Sequence, residues 1–289
     1  MSVLNKGALF PKELEKELLN LVRGKSSLAR LANQEPVPFV GKDIVTFNFD
    51  GDISVVAESG AKPAGSIVAA PVSMAPVKIV YQARVSDEFM RASEEKQLDM
   101  LSAFSDGFAK KMAAGFDKMA LHGINPATGS ASGVIGTNHF DAKVTSNVIT
   151  YDNTKPDENI NDAIELVETA GYDVTGCIIS PDMRSAIAKL KNASNAIAYP
   201  DFAFGAVPGT MGPMTLEKNV TMGSDKALVG DFENLFRWGV AEEIPMEIIQ
   251  FGDPDGAGTD LKAVNQVCLR CEAFIAWAIA DPAGFAFVK

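Results

Sequence analysis

The sequence predicts an α+β fold. Three observations carry this: a helical pattern runs from Ser86 to His122, β-branched segments flank a turn-rich tip between residues 44 and 85, and an α-β-α pattern starts at Pro156 and leads into short apolar strands.

In chain order, Pro11 suits a first helical position, and Leu14, Leu18 and Val22 recur every four residues until Gly24, predicting a short amphipathic helix. Residues 25–43, with Pro36 and Pro38, read as an extended arm. Ile44 to Phe49 form a strand, Asp50-Gly51 a turn, and Ile53 to Ala57 a second strand. The tip from Ala57 to Ser66 carries both charge signs, and on the return Val77, Ile79, Tyr81, Ala83 and Val85 alternate with period two. Residues 44–85 therefore predict a long two-stranded arm. Such an arm is marginal alone in water and needs another body to lie on.

Ser86 offers an N-cap and Asp87 and Glu88 suit the first turn of the long helix. Leu101, Phe104, Phe108, Met112, Phe116 and Met119 then form its apolar stripe, and the whole would be about 50 Å long. Gly107 and Gly115 weaken it by roughly 1 kcal/mol each, so packing must hold it, and Gly123 ends it. Residues 123–156 read as loops with short strands near Val144 to Thr150. Beyond them Ile160, Ile164 and Val167 line a helix, Val174 to Ile179 make a buried strand, and Ser180-Pro181 start a helix carrying Met183, Ile187 and Leu190. A loop from Asn192 to Gly212 precedes strands at Met214–Leu216, Lys226–Val229, Phe236–Val240 and Met246–Phe251. The turn Asp253 to Gly258, an apolar run from Ala263 to Ile279 and the ending Gly284 to Val288 complete the chain.

Composition narrows the function. The 289 residues are 47% apolar, enough for a sizeable core, and 37 acids against 26 bases leave a net charge of −11. That balance argues against a protein that grips nucleic-acid phosphates. Three cysteines are too few for a disulfide scaffold and suggest a reducing compartment. No signal-peptide pattern and no stretch of 18 apolar residues occur, so a soluble protein without a membrane partner is expected.

The search for chemistry ends without a catalytic set. Cys268 and Cys271 match C-x-x-C, but the flanking Val267, Phe274, Ile275 and Trp277 predict a strand, which points the two thiols to opposite faces. They read as small buried hydrophobes. Asp253, Asp255, Gly258 and Asp260 resemble a calcium loop, yet Val264 stands where the bidentate glutamate belongs, so a solvated turn is expected. His122 and His139 lie in no nucleophile pattern and read as a helix cap and a surface-loop residue. Gly205, Gly209 and Gly212 form no phosphate-binding loop, and the centre of Gly129 to Gly133 is alanine rather than a nucleophilic serine. The expectation is no enzyme, no cofactor and no metal.

The ordered set is more informative than any motif. Ala57-Glu58-Ser59-Gly60-Ala61-Lys62-Pro63, Val77 to Val85, Ser86-Asp87-Glu88-Phe89 and Phe116-Asp117-Lys118-Met119-Ala120-Leu121-His122-Gly123 resemble the tailed-bacteriophage major capsid protein family with the Hong Kong 97-type fold. Cys177 to Pro181, Leu228 to Phe232 and Ala278 to Phe285 extend the resemblance over nearly the whole chain.

That resemblance implies a structural shell subunit: residues 1–43 an N-terminal arm, 44–85 an extended E-loop, 86–123 and 226–289 a P-domain with spine helix and long strands, and 124–225 an α/β A-domain. It implies self-assembly into the hexamers and pentamers of an icosahedral virion capsid around double-stranded DNA, held without sequence-specific binding, in the host bacterial cytoplasm. The implied partners are further copies and a portal protein; as no scaffolding segment precedes the arm, either a separate scaffolding protein exists or none is needed, and a decoration protein is left open. Glu58, Lys62, Lys78 and Arg84 are inter-subunit contact candidates. Lys62 and Asn265 are candidates for the isopeptide cross-link of one branch of the family, although the register of Asn265 matches poorly. The alternatives are an encapsulin-type nanocompartment shell and an α/β enzyme.

Overall fold

The computed structural model describes residues 20–50, 53–241 and 246–289. Leu14 and Leu18 of the expected first helix lie outside them; residues 20–25 are helical and run past Gly24. The expected extended arm instead begins with helix α1 (Ser27–Leu31), because Ser26 supplies an N-cap that accepts from Ala29 N. Strand β1 (Asn33–Gln34) follows.

The hairpin pairs differently from expectation. Strand β2 (Lys42–Asp50) pairs antiparallel with β3 (Ser66–Met74), from Lys42 opposite Met74 to Asp50 opposite Ser66. Residues 53–57 form no strand. Pro71 and the paired Ala69 and Ala70 erase the alternation that would reveal β3, and an outer strand tolerates the missing donor of Pro71. The alternating strand β4 (Val77–Ser86) lies elsewhere, along the long C-terminal strand described below.

The long helix also starts later than expected. Ser86 Oγ accepts from Glu88 N, but that cap opens only a 3₁₀ turn, Asp87–Arg91. Gln97 Nε2 donates to Met90 O and Ala92 O, closing the turn, and α2 (Glu94–His122) begins after Ser93. Its 29 residues span about 44 Å. Gly123 ends it at φ +65°, donating its N–H to Met119 O. After α3 (Phe140–Lys143) and β5 (Val148–Ile149) come α4 (Pro156–Thr169), β6 (Gly176–Ile179) and α5 (Pro181–Lys189), with Ser180 capping α5 at Met183 N. The remainder is β7 (Thr210–Met211), β8 (Met214–Lys218), β9 (Ala227–Gly230), α6 (Phe232–Leu235), β10 (Phe236–Val240), β11 (Met246–Ile249), β12 (Gln266–Ile279) and β13 (Phe285–Val288).

Two larger sheets organise the body. In one, β12 pairs antiparallel with β4 along one edge, from Gln266 opposite Ser86 to Ile275 opposite Val77, and with β10 and β11 along the other. In the second the order is β5-β13-β9-β6-β8-β7. Residues 227–230 and 285–288, assigned from sequence to the same unit as the long strand, thus pair into the sheet of the α-β-α unit.

Period two divides the cores. Odd residues of β12, from Val267 to Ile279, face α2, whereas Ala276 and Ala278 face Val37 and Met74. Phe116 of α2 packs on Trp238 and Trp277, ring centroids 5.6 and 5.7 Å away. In the second sheet Ile178, Leu228, Phe285 and Phe287 join that core, while Cys177, Ile179, Val229 and Val288 face α4 and α5. This sheet is a wall between two cores, so its strands read as unbroken apolar runs. Among the described residues no helix is long and apolar enough to cross a membrane.

Candidate assembly surfaces

The hairpin tip is an exposed apolar feature. All of residues 53–65 are exposed, with Ile53 and Val55 fully so, and the turn is held by Gly60 N donating to Ala57 O. Glu58 and Lys62 lie on this tip, both exposed. Side chains like Ile53 and Val55, held in water on a projecting segment, gain most by meeting a second surface.

Lys78 and Arg84 sit at the other end of the loop and have partners within the chain. Lys78 Nζ lies 2.8 Å from Glu272 Oε2 and 5.8 Å from the Phe274 ring centroid. Arg84 projects from β4 into the turn that follows β11: Nε donates to Asp255 Oδ2 at 2.8 Å, Nη1 to Thr259 O at 3.1 Å and Nη2 to Asp253 Oδ1 at 2.5 Å. The guanidinium holds Asp255 down at about 2. Asp253 and Asp260 spend their remaining lone pairs on the N–H groups of Ala257, Gly258, Gly252 and Lys262. Asn265 ends the 3₁₀ turn before β12 at φ +53°, and its carbonyl accepts from Asp87 N.

The apolar edge of the arm and the loop after α5 add two more patches. Phe39 and Val40 are exposed beside β12, Phe39 meeting Phe274 edge-on at 4.9 Å. Phe204 is fully exposed at φ +53°, ψ +30°, an unfavourable backbone for a bulky side chain. Near it α4, α5 and β8 enclose a cavity of about 540 Å³, lined by Ile160, Ile164, Ile187, Phe202, Met211 and Met214, where Tyr199 OH donates to Asp157 Oδ2 at 2.8 Å. Its lining holds neither histidine nor cysteine; its titratable side chains are Asp157, Glu168, Asp173 and Tyr199.

The three thiols are buried, Cys268 and Cys271 on opposite faces of β12. Burial pushes Cys177 and Cys271 up to about 12, far from the thiolate that redox chemistry needs.

Two polar clusters escaped the sequence reading. Asp117, in the buried half of α2, accepts from Ser26 Oγ, the N–H groups of Ser27 and Leu28, and Asn219 Nδ2. Burial raises its pKa to about 6, with those donors pulling the other way. His122 is neither a cap nor a loop residue: its Nδ1 lies 2.7 Å from Asp141 Oδ2 and its Nε2 2.9 Å from Thr221 O. His139 instead caps α3, accepting from Ala142 N at 3.3 Å. The only sequence trace of the first cluster is a lone acid between Phe116 and Met119; the second leaves none.

The chain as a whole resembles known proteins. A family model described as the phage capsid family matches residues 6–289. The structure is similar to one from Mycobacterium phage Ogopogo, with a TM-score of 0.78 and 28% identity over 91% of each chain. It is also similar to one from Gordonia phage Cozz, with a TM-score of 0.74 and 20% identity over 92% of this chain and 86% of that one. A third likeness is to the capsid of a native GTA particle computed with C5 symmetry, with a TM-score of 0.65 and 15% identity over 100% of this chain and 93% of the other. No curated protein matches.

Proposed function

Since this chain belongs to the phage capsid family and is a major capsid shell protein, we propose that it closes into hexamers and pentamers of an icosahedral shell around phage DNA. The observation that carries this reading is the family match across residues 6–289. The family and its structural neighbours do not favour the encapsulin or enzyme alternatives.

In this reading residues 1–43 are the arm, 44–85 the E-loop, 86–123 with 226–289 the P-domain, and 124–225 the A-domain, with β9 and β13 shared into the A-domain sheet. The tip carrying Ile53 and Val55 lies on a neighbouring subunit, and Glu58 and Lys62 pair with charges there. Lys78 and Arg84 stiffen the root of the loop through Glu272, Asp253 and Asp255, and so set its direction before it meets a neighbour. The acidic chain surrounds DNA without gripping it. Portal and scaffolding or decoration proteins join the copies during assembly in the host cytoplasm. Lys62 and Asn265 serve as ordinary polar residues, so denaturing gels of mature particles give a single band rather than a covalent ladder.

Negative-stain microscopy of purified protein tests the reading directly. The wild type gives polyhedral shells or capsomer rings. Replacing residues 53–64 with a short Asn-Gly turn keeps the circular dichroism spectrum and abolishes shells; normal shells from that variant would remove the role given to the tip.

A further inference from the structure

We propose that His122, Asp141 and Asp225 form a binding site for one divalent metal ion of the zinc class. Three segments deliver these groups: His122 is the last residue of α2, Asp141 lies in α3, and Asp225 stands just before β9. One ligand atom from each lies within 4.8 Å of the others.

The first argument is the orientation of the imidazole. Nε2 faces Thr221 O at 2.9 Å, and a carbonyl only accepts, so Nε2 carries the hydrogen. Nδ1 then faces Asp141 Oδ2 at 2.7 Å, which as a carboxylate oxygen is also an acceptor. That contact needs either a proton on Nδ1, which makes the imidazolium a donor to Asp141, or a metal ion bound by both atoms. A histidine whose second nitrogen is fixed by a backbone carbonyl is the arrangement that metal-ligating histidines adopt.

The second argument is independent of the histidine. Asp225 is 5% exposed, and its Oδ2 is buried without a hydrogen-bond partner. Lys289 Nζ forms an ion pair with it at 3.7 Å, too long for a hydrogen bond, and donates to Asp141 Oδ1 at 2.6 Å. A buried carboxylate oxygen without a donor is costly, and a metal ion would satisfy it. One imidazole nitrogen and two carboxylate oxygens suit Zn²⁺ better than Mg²⁺ or Ca²⁺, with solvent in a fourth position. With ligands at about 2.0 Å, a tetrahedral site needs His122 Nδ1 and Asp141 Oδ2 roughly 3.3 Å apart, a small opening from their present separation. Binding would tie the end of α2 to the loop before β9 and release any proton held on Nδ1 to solvent.

The rival occupant is that proton, leaving an imidazolium and Lys289 to balance the two aspartates. The experiment strips the full-length chain with a chelator and measures Zn²⁺ binding by equilibrium dialysis and elemental analysis. About one Zn²⁺ per chain is expected, weakened at least about tenfold in Asp225→Asn and in His122→Gln and unchanged in the exposed Asp162→Asn. Circular dichroism melts show whether each variant is folded. Should neither fold, the wild type decides alone: bound Co²⁺ gives the visible absorption of a tetrahedral nitrogen-oxygen site. Absence of stoichiometric Zn²⁺ in the wild type, or binding that survives both substitutions in folded variants, would overturn the proposal.

Discussion

The Ser26 hydroxyl donates to Asp117 Oδ1 at 2.6 Å, joining residues 91 positions apart. Around that bond Asp117 Oδ2 accepts from Ser27 N at 3.1 Å and Asn219 Nδ2 at 2.9 Å, while Ser26 Oγ accepts from Ala29 N at 3.0 Å. A carboxylate buried in α2 thus takes the place of solvent at the first turn of α1 and also reaches the loop after β8. Removing it strands several buried donors at once. Asp117→Ala is expected to lower the unfolding free energy by about 3 kcal/mol or more in chemical denaturation. A loss under about 1 kcal/mol would mean that water replaces the carboxylate.

The same carboxylate sets a pH dependence. Its folded pKa of about 6 lies above the ordinary carboxylate value, because burial outweighs the four donors. A raised pKa means tighter proton binding in the folded state. The stabilisation is therefore complete below the ordinary value and lost as pH rises through about 6. Glu217, raised by burial first and by Asp117 after Arg30 pulls it down, has the same sign, so a comparison must isolate Asp117. Between pH 7 and pH 5 the melting temperature of the wild type should rise relative to that of Asp117→Asn. Parallel curves would assign the slope to other groups.

Arg84 and the turn after β11 make a separable unit. The guanidinium bridges Asp253, Asp255 and Thr259 O, so it holds a turn that has little core of its own. Exposed pairs contribute little to global stability, but this one restricts a loop. Arg84→Ala is expected to leave the melting temperature nearly unchanged and to speed trypsin cleavage after Lys262 severalfold. Unaltered digestion would show that the backbone bonds of Asp253 and Asp260 suffice.

What the sequence disclosed follows from how local each signal is. The stripe from Leu101 to Met119 and the cap Ser180 were legible because period and capping act within one element. The partner of β2 was not. Its register depends on Ser66–Met74, where Pro71 and two alanines hide the strand, while the clean alternation of Val77–Ser86 belongs to a pairing with β12 nearly two hundred residues away. The turn-rich stretch from Ala57 to Ser66 was legible as a tip, but Ile53 and Val55, which read as part of a strand, are fully exposed instead. The clusters around Asp117 and His122 were not legible, because they join residues from segments that only the tertiary fold brings together.

Gly239 shows how closely the arm is seated. A Cβ there would lie 2.0 Å from Glu35 O and 2.7 Å from Val37 Cγ2, where Glu35 N donates to Trp238 O at 2.8 Å. Backbone cannot yield as a side-chain tip can, so the arm must lift. Gly239→Ala is expected to cost about 1–3 kcal/mol and to expose residues 33–41 to proteases ahead of the rest of the chain. Simultaneous loss of all segments would indicate that arm and sheet unfold as one.

Phe204 separates subunit stability from assembly. Its ring is fully exposed and its backbone is left-handed, a combination that costs roughly 1–2 kcal/mol for a residue with a Cβ and repays nothing inside the chain. The ring gains only by packing on something outside the subunit. Phe204→Gly removes the backbone strain while adding chain entropy to the unfolded state, so the two effects offset and stability should stay within about 1 kcal/mol of wild type. Shell yield by sedimentation should nonetheless fall severalfold, because the lost apolar surface would be buried only between copies. Normal shells from a stable variant would show that the ring meets no neighbour.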